Sequence, residues 1–270
     1  MLTRHARENG SRWAYQGQWL ESHVSLQTLA TVPAEDTQAF IADHTTSETA
    51  SGALLAPVDD HTEVWAAGVT YLRSREARMQ ESDSADIYDK VYDAERPEIF
   101  FKCAGWRARG SGQTIRVRRD ASWNVPEPEL ALVANAAGEI IGYTAGNDVS
   151  SRDIEGENPL YLPQAKVFDG SCALGPGIVL CPALNMRQLP ITLTIERGGA
   201  VVFAGDTGIA QMKRTLEELI NCLYSELELP GGSVLLTGAG LVPADDFTLT
   251  PGDVVTITVG DLSLNNQVAS

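Results

Sequence analysis

Two glutamates at the start of an apolar run place the strongest constraint on how this chain can fold. Glu127 and Glu129 are two residues apart, so if the run is a β-strand both carboxylates leave the sheet on the same face. Two anions held side by side need a cation. A second predicted strand, residues 139–145, follows a turn at Gly138 and leads to Asp148, which adds a third carboxylate. Three such oxygen ligands suit magnesium, manganese or calcium.

The same pair can also consist of two solvated residues on an edge strand. Pro126 and Pro128 flank Glu127, and proline is typical of sheet edges because it cannot donate to the hydrogen-bond ladder. An isolated Glu-x-Glu pair is more often solvated than bound to a metal. The metal site therefore depends on the motifs around the pair.

Several motifs, in the same order along the chain, resemble the fumarylacetoacetate hydrolase superfamily. The matching segments are the glutamate pair, residues 148–153, residues 165–169, Gly175–Pro176 and Thr237–Gly238. The superfamily holds its metal with a Glu-x-Glu pair and a later aspartate, so the resemblance implies Glu127, Glu129 and Asp148 as ligands. It also implies a hydrogen bond from Thr237 to the substrate carboxylate. These motifs are specific for the superfamily and less specific for the reaction.

The resemblance implies the β-roll of this superfamily, and the residue patterns favour a mixed, mainly β fold. Residues 1–60 are weakly patterned and are predicted to form a small N-terminal domain, with residues 61–270 forming the catalytic domain. Superfamily members assemble through the catalytic domain, so the resemblance also implies a homodimer or homotetramer.

The clearest helix pattern covers residues 211–227, where apolar side chains recur at helical spacing and a proline and two glycines follow. Short strands are predicted at residues 63–69, 99–101, 114–118, 177–181, 191–196, 200–203, 234–236 and 253–259.

Charge and composition limit the partners of the chain. Its formal net charge of -16 would repel nucleic acid and anionic membrane surfaces. No apolar run approaches the roughly 20 residues that span a bilayer, and the start of the sequence has no hydrophobic stretch, which predicts a cytoplasmic protein. The four cysteines form no Cys-x-x-Cys pair, so neither a zinc knuckle nor a disulfide framework is indicated.

Histidine and lysine are distributed unevenly. All four histidines precede residue 62, which excludes a Ser-His-Asp triad, a Cys-His pair or a histidine-ligated zinc within the region of the carboxylates. The chain has only four lysines, and Lys102 and Lys166 both lie in segments that match family motifs. Unlike arginine, lysine offers a group whose pKa can be shifted.

The resemblance fails at one place that bears on the reaction. Hydrolytic members of the superfamily carry, after a tyrosine in the lid, a histidine and a glutamate that activate water. Counted from Tyr71, those positions here are Ser74 and Ala77, and neither can act as that base. Hydrolysis of a carbon–carbon bond is therefore disfavoured.

Residues 91–102 and 157–164 resemble, within the superfamily, the 2-keto-3-deoxy-arabinonate dehydratases of sugar-acid catabolism. Glu98 and Lys102 flank an apolar trio in the first of these segments and lie on one side of the predicted ribbon. They can serve the substrate, or they can form an exposed ion pair worth about 0 to 1 kcal/mol.

The predicted reaction is the metal-dependent dehydration of a 2-keto-3-deoxy sugar acid, such as 2-keto-3-deoxypentonate to 2,5-dioxopentanoate. A 2-keto acid offers its carboxylate and keto oxygen to a divalent metal, which acidifies the hydrogens on carbon 3. Lys166 is predicted as the base or as a fixed cation beside the metal, and Glu98 as the acid or relay. Lys102 and Thr237 are predicted to bind the substrate, and Arg152 is predicted to bind it or to serve as a structural ion-pair partner.

Two alternatives remain. One is a hydrolase or decarboxylase of the acylpyruvate or fumarylacetoacetate type, acting on another 2-keto acid. The other is a non-enzymatic β-domain whose acidic cluster holds a structural calcium, which explains neither the lysines nor the ordered motifs. In either enzymatic case magnesium is the predicted metal, with manganese or calcium possible on the same ligands.

Overall fold

The computed structural model describes residues 1–72 and 91–269. The strands are β1 Leu2–Arg7, β2 Gly10–Tyr15, β3 Gln18–Leu20, β4 Thr45–Thr49, β5 Leu54–Leu55, β6 Glu63–Gly68, β7 Glu98–Ala104, β8 Asn124–Val125, β9 Pro128–Ala134, β10 Ile140–Asp148, β11 Ser150–Ser151, β12 Cys172–Leu180, β13 Pro190–Arg197, β14 Ala200–Gly208, β15 Ser233–Leu236, β16 Val254–Val259 and β17 Leu262–Gln267. The helices are α1 Leu26–Leu29, α2 Thr37–Asp43, α3 Arg152–Glu157, α4 Leu162–Lys166 and α5 Leu216–Tyr224, with 3-10 turns at Gly105–Arg107, Pro159–Tyr161, Ala183–Met186 and Ile209–Gln211. The prediction of a mixed, mainly β fold is confirmed.

The main sheet runs through both parts of the chain. Its strand order is β4-β3-β2-β1-β12-β10-β9-β15-β6-β7, with β5 paired to β1. The link between the two parts is the antiparallel pairing of β1 with β12, where Leu2 lies opposite Ile178. The predicted N-terminal segment, residues 1–60, therefore continues the sheet that carries the candidate ligands.

Strand β9 lies at the centre of this sheet, between β10 and β15. All seven of its residues are buried, as expected for a strand that is covered on both faces. Leu130 and Leu132 point into one apolar cluster, which also contains residues of a four-stranded sheet ordered β14-β13-β16-β17. Ala131 and Val133 point into a second cluster shared with the N-terminal strands.

Two predicted elements differ in the structure. Helix α5 is shorter than the predicted 211–227, because Thr215 and Glu218 form a capping box that starts the helix at Leu216. The predicted strand at residues 114–118 is wrong, since only an isolated bridge between Ile115 and Val268 forms there. In the part of the chain that the structure describes, no helix is long and apolar enough to cross a membrane.

Candidate metal centre and active site

The three predicted carboxylate ligands meet at one buried place. Glu127, Glu129 and Asp148 each offer an oxygen within 4.8 Å of the other two. The β9–β10 pairing brings them together, because Glu129 lies opposite Gly146 and the amide of Asp148 donates to the carbonyl of Glu127 at 3.0 Å. The solvated-edge interpretation is wrong, since all three side chains are buried and β9 has a neighbour on each side.

Gly146, opposite Glu129, is closely packed against Leu236. A Cβ added at this residue would lie 2.2 Å from Cδ2 of Leu236, so no larger residue fits opposite Glu129 without a shift. The amide of Glu127 is held as well, because it donates to Oδ1 of Asn147 at 3.2 Å. Backbone and packing therefore hold the carboxylates together against their mutual repulsion.

Lys166 joins two of the three carboxylates. Its Nζ donates to Oε2 of Glu127 at 2.7 Å, to Oδ2 of Asp148 at 3.1 Å and to Oγ of Ser150 at 2.6 Å. These three acceptors match the three N–H groups of an ammonium. The side chain ends α4 and is buried, and its Nζ lies 5.7 Å from the centre of the Phe100 ring.

Two further cations complete the charge balance. Nη2 of Arg152 lies 2.9 Å from Oε1 of Glu127, and Nζ of Lys102 pairs with Oδ1 of Asp148. With Lys166, three cationic side chains therefore face three carboxylates. The cluster has no net charge if all six are charged, so the buried carboxylates are paired with cations in the metal-free protein.

Glu129 is the carboxylate whose ionisation is most perturbed. Burial raises the pKa of Glu129 well above its usual range, and the negative charges of Asp148 and Glu127 raise it further. The amide of Gly238 opposes this by donating to Oε2 of Glu129 at 2.6 Å. A nearby cation stabilises the ionised form of a buried carboxylate such as Glu129. The three carboxylates therefore fit a hard divalent metal.

Lys102 lies behind the carboxylates. Its side chain is fully buried and its Nζ donates to the carbonyls of Val149 at 3.2 Å and Lys166 at 2.5 Å, besides pairing with Asp148. A bulge turns it this way: Val64 and Trp65 are adjacent on β6, but they face Cys103 and Phe101 on β7 and leave Lys102 between them. The alternative prediction, an exposed ion pair between Glu98 and Lys102, is therefore wrong.

Glu98 and Thr237 lie near the cluster but contact other groups. The carboxylate of Glu98 lies over Gly68, its partner on β6, and Gly68 lines the small pocket above the carboxylates. The hydroxyl of Thr237 donates to the carbonyl of Leu130 at 2.9 Å. It must rotate before it can donate to a substrate carboxylate.

Comparison with known proteins decides the family. A family model described as fumarylacetoacetate (FAA) hydrolase C-terminal matches residues 63–269. The chain belongs to the fumarylacetoacetate hydrolase family. The predicted resemblance is confirmed.

Two similar proteins are named as dehydratases. A Haloferax volcanii protein named probable 2-keto-3-deoxyxylonate dehydratase is 44% identical over 255 residues, which cover 92% of this chain and 84% of the relative. A Saccharolobus solfataricus protein named 2-dehydro-3-deoxy-D-arabinonate dehydratase is 47% identical over 192 residues, which cover 69% of this chain and 64% of the relative.

A solved structure of the family agrees with the fold. It is 2-keto-3-deoxy-D-arabinonate dehydratase complexed with magnesium and 2,5-dioxopentanoate, and it superposes with a TM-score of 0.85 at 34% identity. The match covers 99% of this chain and 98% of that chain. The predicted β-roll of the fumarylacetoacetate hydrolase family is therefore confirmed.

Two family positions bear on the choice between dehydration and hydrolysis. Ser74 and Ala77, which replace the water-activating pair of hydrolytic members, lie outside the described residues. Their bearing on the reaction remains a matter of residue type alone.

Sequence reasoning missed three groups of this site. Ser150 accepts a hydrogen bond from Lys166, Phe100 lies over the same amine, and the amide of Gly238 binds Glu129. Ser150 lies within a matched motif, which was the available signal. Gly238 and Phe100 also lie in matched segments, but their contacts with Glu129 and Lys166 follow from tertiary packing, which one sequence does not reveal.

Proposed function

We propose that this protein is a hydro-lyase that removes water from a 2-keto-3-deoxy sugar acid, such as 2-keto-3-deoxypentonate, to give 2,5-dioxopentanoate. The observation that carries the proposal is the buried trio of Glu127, Glu129 and Asp148, with Lys166 bonded to two of them, in a chain 44% identical to a protein named as such a dehydratase. The partner is a small 2-keto acid.

The proposed cofactor is magnesium, held by the three carboxylates. When bound, it supplies Lewis-acid polarisation of the keto oxygen and so acidifies the hydrogens on carbon 3. Manganese shares the preference for oxygen ligands in octahedral geometry, and calcium is the third candidate. Loss of activity in chelator and its return with each ion tests the choice.

Lys166 is proposed to move the proton at carbon 3. Its amine is bonded to two of the metal-binding carboxylates, so it lies beside the place where a 2-keto acid binds. All three of its N–H groups have acceptors, so it must give up one proton to act as a base. If it keeps that proton, it serves as the fixed cation that stabilises charge on the keto oxygen.

Glu98 is proposed to protonate the hydroxyl that leaves carbon 4. Loss of a proton from carbon 3 and of hydroxide from carbon 4 removes one water. The remaining allylic alcohol then loses a proton from carbon 5 and gains one at carbon 3, and the resulting enol at carbons 4 and 5 moves its hydroxyl proton to carbon 4 to give the aldehyde, with no change in composition. Arg152 is proposed to hold the substrate carboxylate through its guanidinium, which already binds Glu127.

The test offers purified protein and magnesium a panel of 2-keto-3-deoxypentonates and acylpyruvates and follows each product. We expect dioxopentanoate from the first group and almost no cleavage of the second. Lys166→Met should lower kcat by at least about a hundredfold, the lower end for lost acid–base catalysis. Glu98→Gln should lower kcat with magnesium affinity largely kept, and Lys213→Met is the matched lysine control.

The hydrolase alternative predicts the opposite pattern. Efficient cleavage of an acylpyruvate, with every 2-keto-3-deoxy acid left untouched, would overturn the dehydratase proposal. The proposed compartment is the cytoplasm, since all four cysteines are free thiols, as a reducing compartment maintains them.

A further inference from the structure

A second group of metal-binding side chains lies in the N-terminal part of the chain, apart from the carboxylates. Glu21, His23 and His44 each offer a ligand atom within 4.8 Å of the other two. Glu21 and His23 are exposed, and His44 is half-buried. This cluster combines two imidazoles with one carboxylate, whereas the three metal ligands at the site of the proposed reaction are all carboxylates.

The backbone holds these three residues close together. Glu21 directly follows β3, and its amide donates to the carbonyl of His44 at 2.9 Å. The carbonyl of Glu21 accepts from the amide of Val24 at 3.0 Å, which closes the turn that contains His23. His44 ends α2 and precedes β4, the partner of β3. The backbone of the three residues is therefore held close together, while the exposed side chains of Glu21 and His23 can still rotate.

The ring of His44 is oriented for a metal. Its Nδ1 lies 2.8 Å from the carbonyl of Phe40, and a carbonyl only accepts, so Nδ1 carries the hydrogen and Nε2 is the nitrogen that offers a lone pair in the neutral ring. The ring also stacks on Phe40 at 4.1 Å between centroids. A histidine that donates its other ring N–H to a backbone carbonyl is the usual arrangement behind a metal ligand.

The two remaining ligand residues lie beside the ring of His44. The rings of His23 and His44 lie 5.3 Å apart at 78°, and Nδ1 of His23 is 3.5 Å from Oε2 of Glu21. Because Glu21 and His23 are exposed, their side chains can rotate to close around an ion while His44 stays fixed. Without an ion, the same contact is an exposed pairing of Glu21 with His23, which contributes little to stability.

We propose that Glu21, His23 and Nε2 of His44 bind one transition-metal ion of the zinc, copper, nickel or cobalt class, with water in the open positions. Imidazole suits these ions, whereas magnesium prefers oxygen ligands. The ion joins the turn after β3 to the end of α2, so it stabilises the N-terminal end of the main sheet.

The test titrates zinc into the untagged protein in the presence of excess magnesium, followed by calorimetry. We expect one equivalent of zinc to bind to the wild type and also to Glu129→Ala. Binding to this variant would show that the zinc does not occupy the carboxylate site. His44→Gln keeps a donor for the Phe40 carbonyl and removes the imidazole, and it should weaken zinc binding by more than about a hundredfold, beyond the loss caused by removing a supporting contact. His61→Ala is the matched control and should bind zinc as wild type does.

Copper provides a readout of the ligands themselves. The electron paramagnetic resonance spectrum of one bound copper should show coupling to two imidazole nitrogens in the wild type and to one in His23→Ala. Equal zinc binding in wild type and His44→Gln, or a copper spectrum unchanged in His23→Ala, would overturn the proposal. Dehydratase turnover with magnesium should be the same in wild type and His44→Gln, so this site and the proposed reaction can fail independently.

Discussion

The ionisation of Glu129 affects both the folding stability of the protein and its proposed binding of a metal. Its pKa is raised in the folded, metal-free protein because burial and two neighbouring carboxylates disfavour its charge. At pH values between the ordinary pKa and the raised pKa, the folded state therefore holds a proton that the unfolded chain has released. The resulting stabilisation is fully present below the ordinary value of 4.5 and is lost as the pH rises through the raised pKa.

Glu129→Gln should remove this pH dependence. The amide can still accept from Gly238 and carries no charge, so the Tm of the metal-free variant should fall less than that of wild type as the pH is raised. Thermal unfolding in chelator across that range measures the difference, and magnesium binding should be lost. Glu48→Gln, at an exposed position, is the control, and parallel curves for wild type and Glu129→Gln would contradict the assignment.

Lys102 stabilises the buried carboxylates through its ion pair with Asp148. Lys102→Met keeps most of the side-chain volume but leaves Asp148 without its ion pair and two backbone carbonyls without their donor. Breaking a buried pair by removing one partner costs about 3–5 kcal/mol. Denaturant unfolding should show a loss of this size.

A surface lysine gives the comparison for Lys102. The ion pair of Lys213 with Asp93 is partly exposed, so Lys213→Met should cost only about 0–1 kcal/mol. If the two variants lose equal stability, the buried cation has no special role. Turnover and stability should both fall in Lys102→Met, because Asp148 loses a group that positions it.

At the scale of elements, the pairing of β6 with β7 fixes Glu98. A Cβ added at Gly68 would lie 2.1 Å from Oε2 of Glu98, and the three nearest atoms all belong to that carboxylate. Gly68→Ala should therefore move Glu98 and leave the strands in place. A displacement of about 1 Å can cost about a hundredfold in rate, so kcat should fall by this order with Tm and magnesium affinity kept.

The added methyl group could instead obstruct the pocket that Gly68 lines. A double-mutant cycle separates the two effects, because Gly68→Ala should cause no further loss in a Glu98→Gln background if it acts through Glu98. Gly231→Ala, where an added Cβ meets no atom within 4 Å, is the control. A full additional loss in the double variant would show obstruction.

The strands differ in how far sequence predicts their side chains. Glu127 directly precedes β9 and Glu129 lies within it, and their carboxylates meet as the two-residue period predicted. On β7 the bulge breaks the period and turns Lys102 toward Asp148, and no residue type in that stretch marks a bulge. The local pattern succeeded where pairing was regular and failed where tertiary contacts shifted the register.

At the scale of the whole molecule, the N-terminal segment was the hardest part to predict. Its strands are short, and their apolar residues complete a cluster that also contains residues from β9, β12 and β15. Because this cluster draws on both halves of the chain, neither half shows the periodicity of a complete core. The separate N-terminal domain of residues 1–60 stays a prediction.

Assembly is the remaining property of the whole molecule, and we propose a homodimer or homotetramer on the basis of family resemblance. Large apolar side chains such as Trp106, Leu160, Leu184 and Val201 are exposed on the single chain, which is consistent with burial between copies. Each chain also carries a formal charge of -16, so the copies repel one another.

Salt should therefore strengthen the assembly. Screening shortens the range of charge repulsion to about 10 Å at 0.1 M ionic strength, whereas apolar burial is little affected. Sedimentation at micromolar concentration should give species larger than the 29.0 kDa chain, with a larger share of oligomer as salt is raised. Measurements with magnesium and with chelator separate this effect from charge changes at the carboxylates. A 29.0 kDa species at every salt concentration would contradict assembly, and dissociation on adding salt would show that ion pairs rather than apolar contacts hold the copies together.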